Sequence, residues 1–133
     1  MSKLTKAEID ARLVTLCQEM SDHTRIPCSG QGASPCRVPY SCCDASVCEL
    51  TIEQAKWDWN TELPRTNHPK YPLMALEGGC TAPPHMRPLC TVHCCIVQSF
   101  GGNPKDPAWT ERYWELRNQI DTLLFRKQAG SVR

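Results

Sequence analysis

Cysteine is the residue type that can do chemistry here: the chain carries ten of them in 133 residues. Nine fall in two groups. The first is Cys28, Cys36, Cys42, Cys43 and Cys48 in CSGQGASPCRVPYSCCDASVC, and the second is Cys80, Cys90, Cys94 and Cys95 in CTAPPHMRPLCTVHCC. Thiols at this density either pair as disulfides or gather as thiolates around a metal ion. Zn²⁺ takes four soft or borderline ligands at tetrahedral corners about 2.0–2.3 Å away, and ligands two to four residues apart let one turn of backbone supply two corners. Cys90 and Cys94, with three residues between them, suit that geometry. Neither group is a C-x2-C…C-x2-C, so no standard finger or ribbon is implied. In extended backbone the two members of Cys42-Cys43 and of Cys94-Cys95 point to opposite faces, so one ligand and one buried thiol per pair is the simplest solution. The resulting four-ligand set takes one cysteine from each pair and adds Cys80 and Cys90. Nine thiols also suffice for two mononuclear sites or an iron–sulfur cluster.

Compartment bears on the choice between metal and disulfide. The first twenty residues spread Lys3, Lys6, Glu8, Asp10 and Arg12 through the apolar positions, so they read as neither a secretory h-region nor a transmembrane span. The expectation is a cytoplasmic chain with reduced thiols, in which a cysteine cluster is a metal site. Lys and Arg number 15 against 14 Asp and Glu, which argues against a basic nucleic-acid binder, and 41 % apolar residues argue against disorder. There is no G-x-S-x-G, P-loop, H-E-x-x-H or G-x-G-x-x-G. His93 beside Cys94 is a thiol–base neighbour along the chain only, which is weak ground for a nucleophile.

The elements that must position these thiols are few. Thr5 with Glu8 forms a capping box, Leu4 and Ile9 a staple, and Ile9, Leu13, Leu16, Cys17 and Met20 an apolar stripe, predicting a helix to about residue 20. A second start is Thr51 with Gln54, and Ile52, Ala55, Trp59 and Leu63 share a face before Pro64. The third helix begins at Asp106 and Pro107 and carries Trp109, Tyr113, Leu116, Ile120 and Leu123 to about residue 128, packing on the first. Residues 21–50 and 64–105 read as long irregular stretches, which a compact domain holds only with help beyond a hydrophobic core. The fold class predicted is thus a small, mainly α single domain over residues 1–133: three helices with Cys-rich loops clamped by metal.

Cys36…Cys42-Cys43, the LTIEQA helix start, Cys80-x9-Cys90 with Arg87-Pro88 ahead of Cys90, and Cys94-Cys95 together resemble the YkgJ-type cysteine-cluster proteins. These are small bacterial and phage proteins grouped as zinc- or iron-chelating. The likeness spans roughly residues 36–95. It departs from the pattern in the five residues between Cys36 and Cys42, in the Pro-rich APPHM before Arg87, and in the position of Arg87-Pro88. It implies Cys42, Cys43, Cys80, Cys90 and Cys94 or Cys95 as ligands, with Cys36 as a further member, and it supplies no reaction.

The remaining residues have quieter readings. Cys17 belongs to the apolar face of the first helix, where a thiol behaves as a small hydrophobe. Cys28 and Cys48 are spare ligands, buried thiols or a second site. His85 and His93 can complete a Cys3His set, but cysteines suffice without them, so an outer hydrogen-bonding or solvent-facing role is preferred. His23 and His68 read as surface residues. Arg87 either donates to thiolates or loop carbonyls, or is solvated. Trp57 and Trp114 fall off their helices' stripes and are candidates for a protein-partner surface. The leading expectation is a non-catalytic, cytosolic module holding Zn²⁺. The alternatives are an iron or iron–sulfur redox or modification component, and a disulfide-stapled structural or interaction protein such as a particle component.

Overall fold

The computed structural model describes residues 4–28, 45–75 and 80–131. In chain order it contains α1 (Lys6–Cys28), α2 (Ala45–Trp59), a 3₁₀ turn (Pro84–Met86), α3 (Pro88–Val92), α4 (Cys95–Phe100) and α5 (Pro107–Ser131). Among the described residues the only β pairing is an isolated antiparallel bridge between Met74 and Cys80. The protein is small and mainly helical.

Helix α1 starts as its sequence dictates. The Thr5 hydroxyl accepts from the Glu8 amide at 3.1 Å and the Glu8 carboxylate from the Thr5 amide at 3.2 Å, a reciprocal capping box. Leu4 and Ile9 both pack into the main apolar cluster beside it. Helix α5 is capped by Asp106, whose carboxylate accepts from the Trp109 amide at 3.0 Å, with Pro107 at the first helical position.

These two long helices pair antiparallel. Asp10 meets Lys127, Glu19 meets Arg112, and His23 meets Trp109, so residue numbers fall along one helix as they rise along the other. Between them lie Leu13, Cys17 and Met20 from α1 and Tyr113, Leu116 and Ile120 from α5, all essentially inaccessible to solvent. Each large apolar side chain so buried contributes about 1.5–3 kcal/mol. The predicted stripes are therefore the core, including Cys17.

Boundaries moved for identifiable reasons. α1 runs on past residue 20 to Cys28 because its later turns are anchored to α5. The His23 ring lies 4.7 Å from the Trp109 ring, nearly parallel to it. The Trp109 indole donates to the His23 carbonyl at 3.0 Å, and His23 Nε2 lies 2.8 Å from the Trp109 carbonyl, which fixes that nitrogen as the donor. His23 is a packed residue, contrary to the surface reading.

α2 starts six residues before Thr51, which is buried within it. The T-x-x-Q pattern there imitates a cap without being one. It ends at Trp59 because Asn60 adopts a left-handed conformation (φ 48°) and the Thr61 amide reaches back to the Ala55 carbonyl at 3.0 Å. The bond spans six residues, one more than a Schellman bond, and asparagine takes the left-handed place after the helix that glycine usually holds. Leu63 consequently lies beyond the helix, yet it is still buried, in a second apolar cluster with Ile52, Ala55, Leu73 and Ala82.

The stretch 64–105, read as irregular, contains α3 and α4, which are too short to show a hydrophobic period. Pro88 opens α3 at its first turn, and Gly101 (φ 77°) closes α4, its amide donating to the Val97 carbonyl at 2.7 Å. The glycine that follows, Gly102, is buried against the Thr110 side chain, so a Cβ there would collide with it.

Tyr113 joins α5 to α3. Its hydroxyl donates to the Val92 carbonyl at 2.5 Å and accepts from Arg117 at 3.0 Å. Replacing Tyr113 by Phe leaves that buried carbonyl without its partner. The variant is expected to lose about 1–3 kcal/mol of stability by denaturant titration, with helical content unchanged.

Candidate functional site

Cys80 and Cys90 fall in the connection between α2 and α3 and on α3 itself, and the described residues of 60–87 have little regular backbone pairing. Pro64, Pro69, Pro72, Pro83, Pro84 and Pro88 remove six amide donors from residues 64–88. Side chains supply the missing bonds. The Thr66 hydroxyl lies 2.5 Å from the Met74 carbonyl, and His68 Nδ1 accepts from the amides of Lys70 and Tyr71 at 3.1 and 3.0 Å. The Thr81 hydroxyl and amide both donate to the Leu73 carbonyl, at 2.9 and 2.7 Å. The Thr91 hydroxyl donates to the Pro84 carbonyl at 2.7 Å, and Arg87 Nε to the Ala82 carbonyl at 2.8 Å.

The described part of these loops is thus ordered by threonine hydroxyls, a histidine and an arginine over the second apolar cluster. These bonds are help beyond a hydrophobic core of the kind such long stretches need; a metal clamp is not shown among the described residues. Arg87 takes the loop-carbonyl role, and His68 caps a turn instead of standing free at the surface.

On this frame the thiols divide. Cys80 is exposed at its bridge to Met74, and Cys90 is exposed on α3. Cys94 is 3 % exposed and belongs to the core cluster with Val92, Val97 and Tyr113. Cys94 is therefore a buried thiol. Cys48 is half-buried against the second cluster, as is Met86. Cys36, Cys42 and Cys43 lie outside the described residues, as do the side chains of Cys28 and Cys95. Among the described residues no three His, Cys, Asp or Glu side chains gather closely enough to hold a metal ion. The described donors alone do not make a tetrahedral site, and thiols outside the described residues would have to complete one.

The histidines near the second group differ in setting. His85 packs edge-on against Trp59, 4.7 Å between ring centres. Next to it, Lys127 lies 2.7 Å from the Asp10 carboxylate and 4.1 Å over the Trp59 ring, with its side chain only 4 % exposed. Burial lowers the His85 pKa from its ordinary value near 6.5; Asp10 opposes this and the Lys127 ammonium reinforces it.

Sequence spacing offers no hint of this Asp10–Lys127–Trp59–His85 node, because its members come from three helices and a 3₁₀ turn. Of the off-stripe tryptophans, Trp57 is 76 % exposed. Trp114 is engaged locally, its indole donating to the Gly101 carbonyl at 3.1 Å and its ring facing Arg117 at 5.5 Å.

No helix among the described residues is long and apolar enough to cross a membrane. Compared with known protein families, curated proteins and solved structures, the chain matches none.

Two consequences can be measured. A histidine with a depressed folded pKa binds its proton more readily when the chain is unfolded. Stability should therefore fall as pH drops through about 6.5 and level off below the folded value. The His85→Gln variant should lose that part of the acid slope in denaturation curves between pH 7.5 and 5. Thiol accessibility supplies the second. The Cys17 thiol is pushed up to about 11 by burial, with Arg87 acting in the opposite direction. In metal-free native protein, iodoacetamide should label Cys80 readily and Cys17 only on unfolding, read by peptide mass spectrometry.

Proposed function

We propose that this chain is a small, non-catalytic metal-binding module of the YkgJ type. Cys80 and Cys90 would contribute thiolates to a Zn²⁺ site completed by Cys42 or Cys43 and by Cys95. The observation that supports this reading best is the placement of Cys80 and Cys90. Both are exposed, in a residue type that is among the most buried.

They also sit at the two ends of a span braced by the Thr81–Leu73, Arg87–Ala82 and Thr91–Pro84 hydrogen bonds. Donors fixed on a rigid frame lose little entropy on ligation, which is what a metal site requires. The buried Cys94 fits the rule of one ligand and one buried thiol per adjacent pair. It leaves Cys95 as the ligand from that pair, and Cys36 as a reserve member.

In this role Zn²⁺ supplies charge neutralisation for the thiolates and a cross-link between the two cysteine groups. A zinc site of this type contributes on the order of ten kcal/mol at neutral pH. Thiolate ligation also needs a reducing compartment, which is why the reading is cytoplasmic.

Elemental analysis of the purified chain, together with thiol counting, tests the proposal. About one zinc per chain is expected, lost in the Cys80→Ser/Cys90→Ser double variant and released by chelator with a fall in the thermal midpoint. Visible charge-transfer absorption with bound iron would replace zinc by the iron or iron–sulfur alternative. A metal-free chain whose thiols are nearly all oxidised would replace metal by disulfide staples and overturn the proposal.

A further inference from the structure

Several large apolar side chains remain exposed around one groove. The groove holds about 340 Å³ and is walled by Leu89 and Val92 of α3 and Leu124 and Phe125 of α5, with Gln54 of α2 also lining it. Phe125 is 74 % exposed and Leu89 48 %. On α2, Leu50 and Trp57 lie four residues before and three residues after Gln54, the spacing that puts them on its face, and both are exposed. The buried side of α2 is carried by Thr51, Ile52 and Ala55, so this outward stripe serves no described packing role.

The groove also carries charge of both signs. Arg117 and Asp121 line it 3.7 Å apart, and their charges cancel. A fitting occupant has an aromatic or aliphatic knob with one charge of each sign beside it. The chain displays such a knob at the groove itself: Phe125, with Asp121 one turn before it and Arg126 after it. A surface offering knob and receiving groove at one place is complementary to itself across a two-fold axis. The net charge of +1 sets little repulsion against such contact. The exposed parts of Trp57 and Phe125 offer about 300 Å² per copy. That is over a third of the roughly 800 Å² per partner that an ordinary stable interface buries, before Leu50 and Leu89 are added.

We propose that the chain forms a symmetric dimer through this groove, Phe125 of each copy seated in the groove of the other and Arg117 facing the opposing Asp121. The proposal uses no cysteine and is independent of the metal reading. Sedimentation equilibrium on the full chain tests it. At about 100 µM the wild type should show twice the 15.0 kDa chain mass. Phe125→Glu on the knob and Leu89→Lys on the receiving wall should each weaken association by about tenfold or more. Because both positions are solvent-exposed, each variant should keep the wild-type helical content by circular dichroism. A wild type that stays at the chain mass would assign this face to a partner of different chemistry and overturn the dimer. A dimer indifferent to both substitutions would overturn it equally.

Discussion

The antiparallel pairing of α1 with α5 is the constraint on which the other contacts depend. It is pinned at both ends by bonds that need both helices at once. At one end the His23 and Trp109 rings stack and each residue donates to the other's carbonyl; at the other, the Lys127 ammonium is enclosed between the Asp10 carboxylate and the Trp59 ring. Between these pins the apolar stripes close over Tyr113. Lys127 is a buried cation, tolerated because its charge is matched on one side by a carboxylate and on the other by the negative face of an indole. Since Trp59 ends α2, that single ammonium also sets where the second apolar cluster sits against the first. Tyr113 extends the same dependence to α3 through the Val92 carbonyl.

A second constraint acts in the proline-rich connection. Six prolines withdraw amide donors from residues 64–88, and a buried carbonyl left unpaired costs as much as a lost hydrogen bond. The threonine hydroxyls at 66, 81 and 91 and the Arg87 guanidinium make up part of the deficit. This matters for the thiols because these bonds help to order the described loop segments around them. Ligation at Cys80 and Cys90 would then act on a frame already formed, and its cross-linking effect would fall on the connection to the first cysteine group.

Legibility of the fold followed the length of its signals. The stripes of α1 and α5 repeat over several turns and begin with capping residues whose hydrogen bonds are local, so their start and packing partner could be read directly. Thr51 and Gln54 misled because a capping box is a two-residue pattern that also occurs by chance inside a helix. The end of α2 depended on Asn60 adopting a left-handed conformation, which no pattern in TELP announces. α3 and α4 span five and six residues, shorter than two turns, and carry no period to detect. His23 and His68 were read as surface residues because their partners, a distant indole and neighbouring amides, leave no trace in sequence spacing.

The candidate site divides along the same line. The sequence by itself determined that thiols concentrate in two groups, that Cys17 belongs to an apolar helix face, and that two capped amphipathic helices must bury against each other. Those conclusions rest on residue type and short periodicity, which are properties of a few adjacent residues. Only the tertiary structure decided that Cys94 is buried in the core while Cys80 and Cys90 face outward, that Lys127 closes against Asp10 and Trp59, and that Phe125 borders an open groove. Each of these depends on which surfaces meet when residues up to a hundred or more positions apart are brought together, and packing of that range has no local signature.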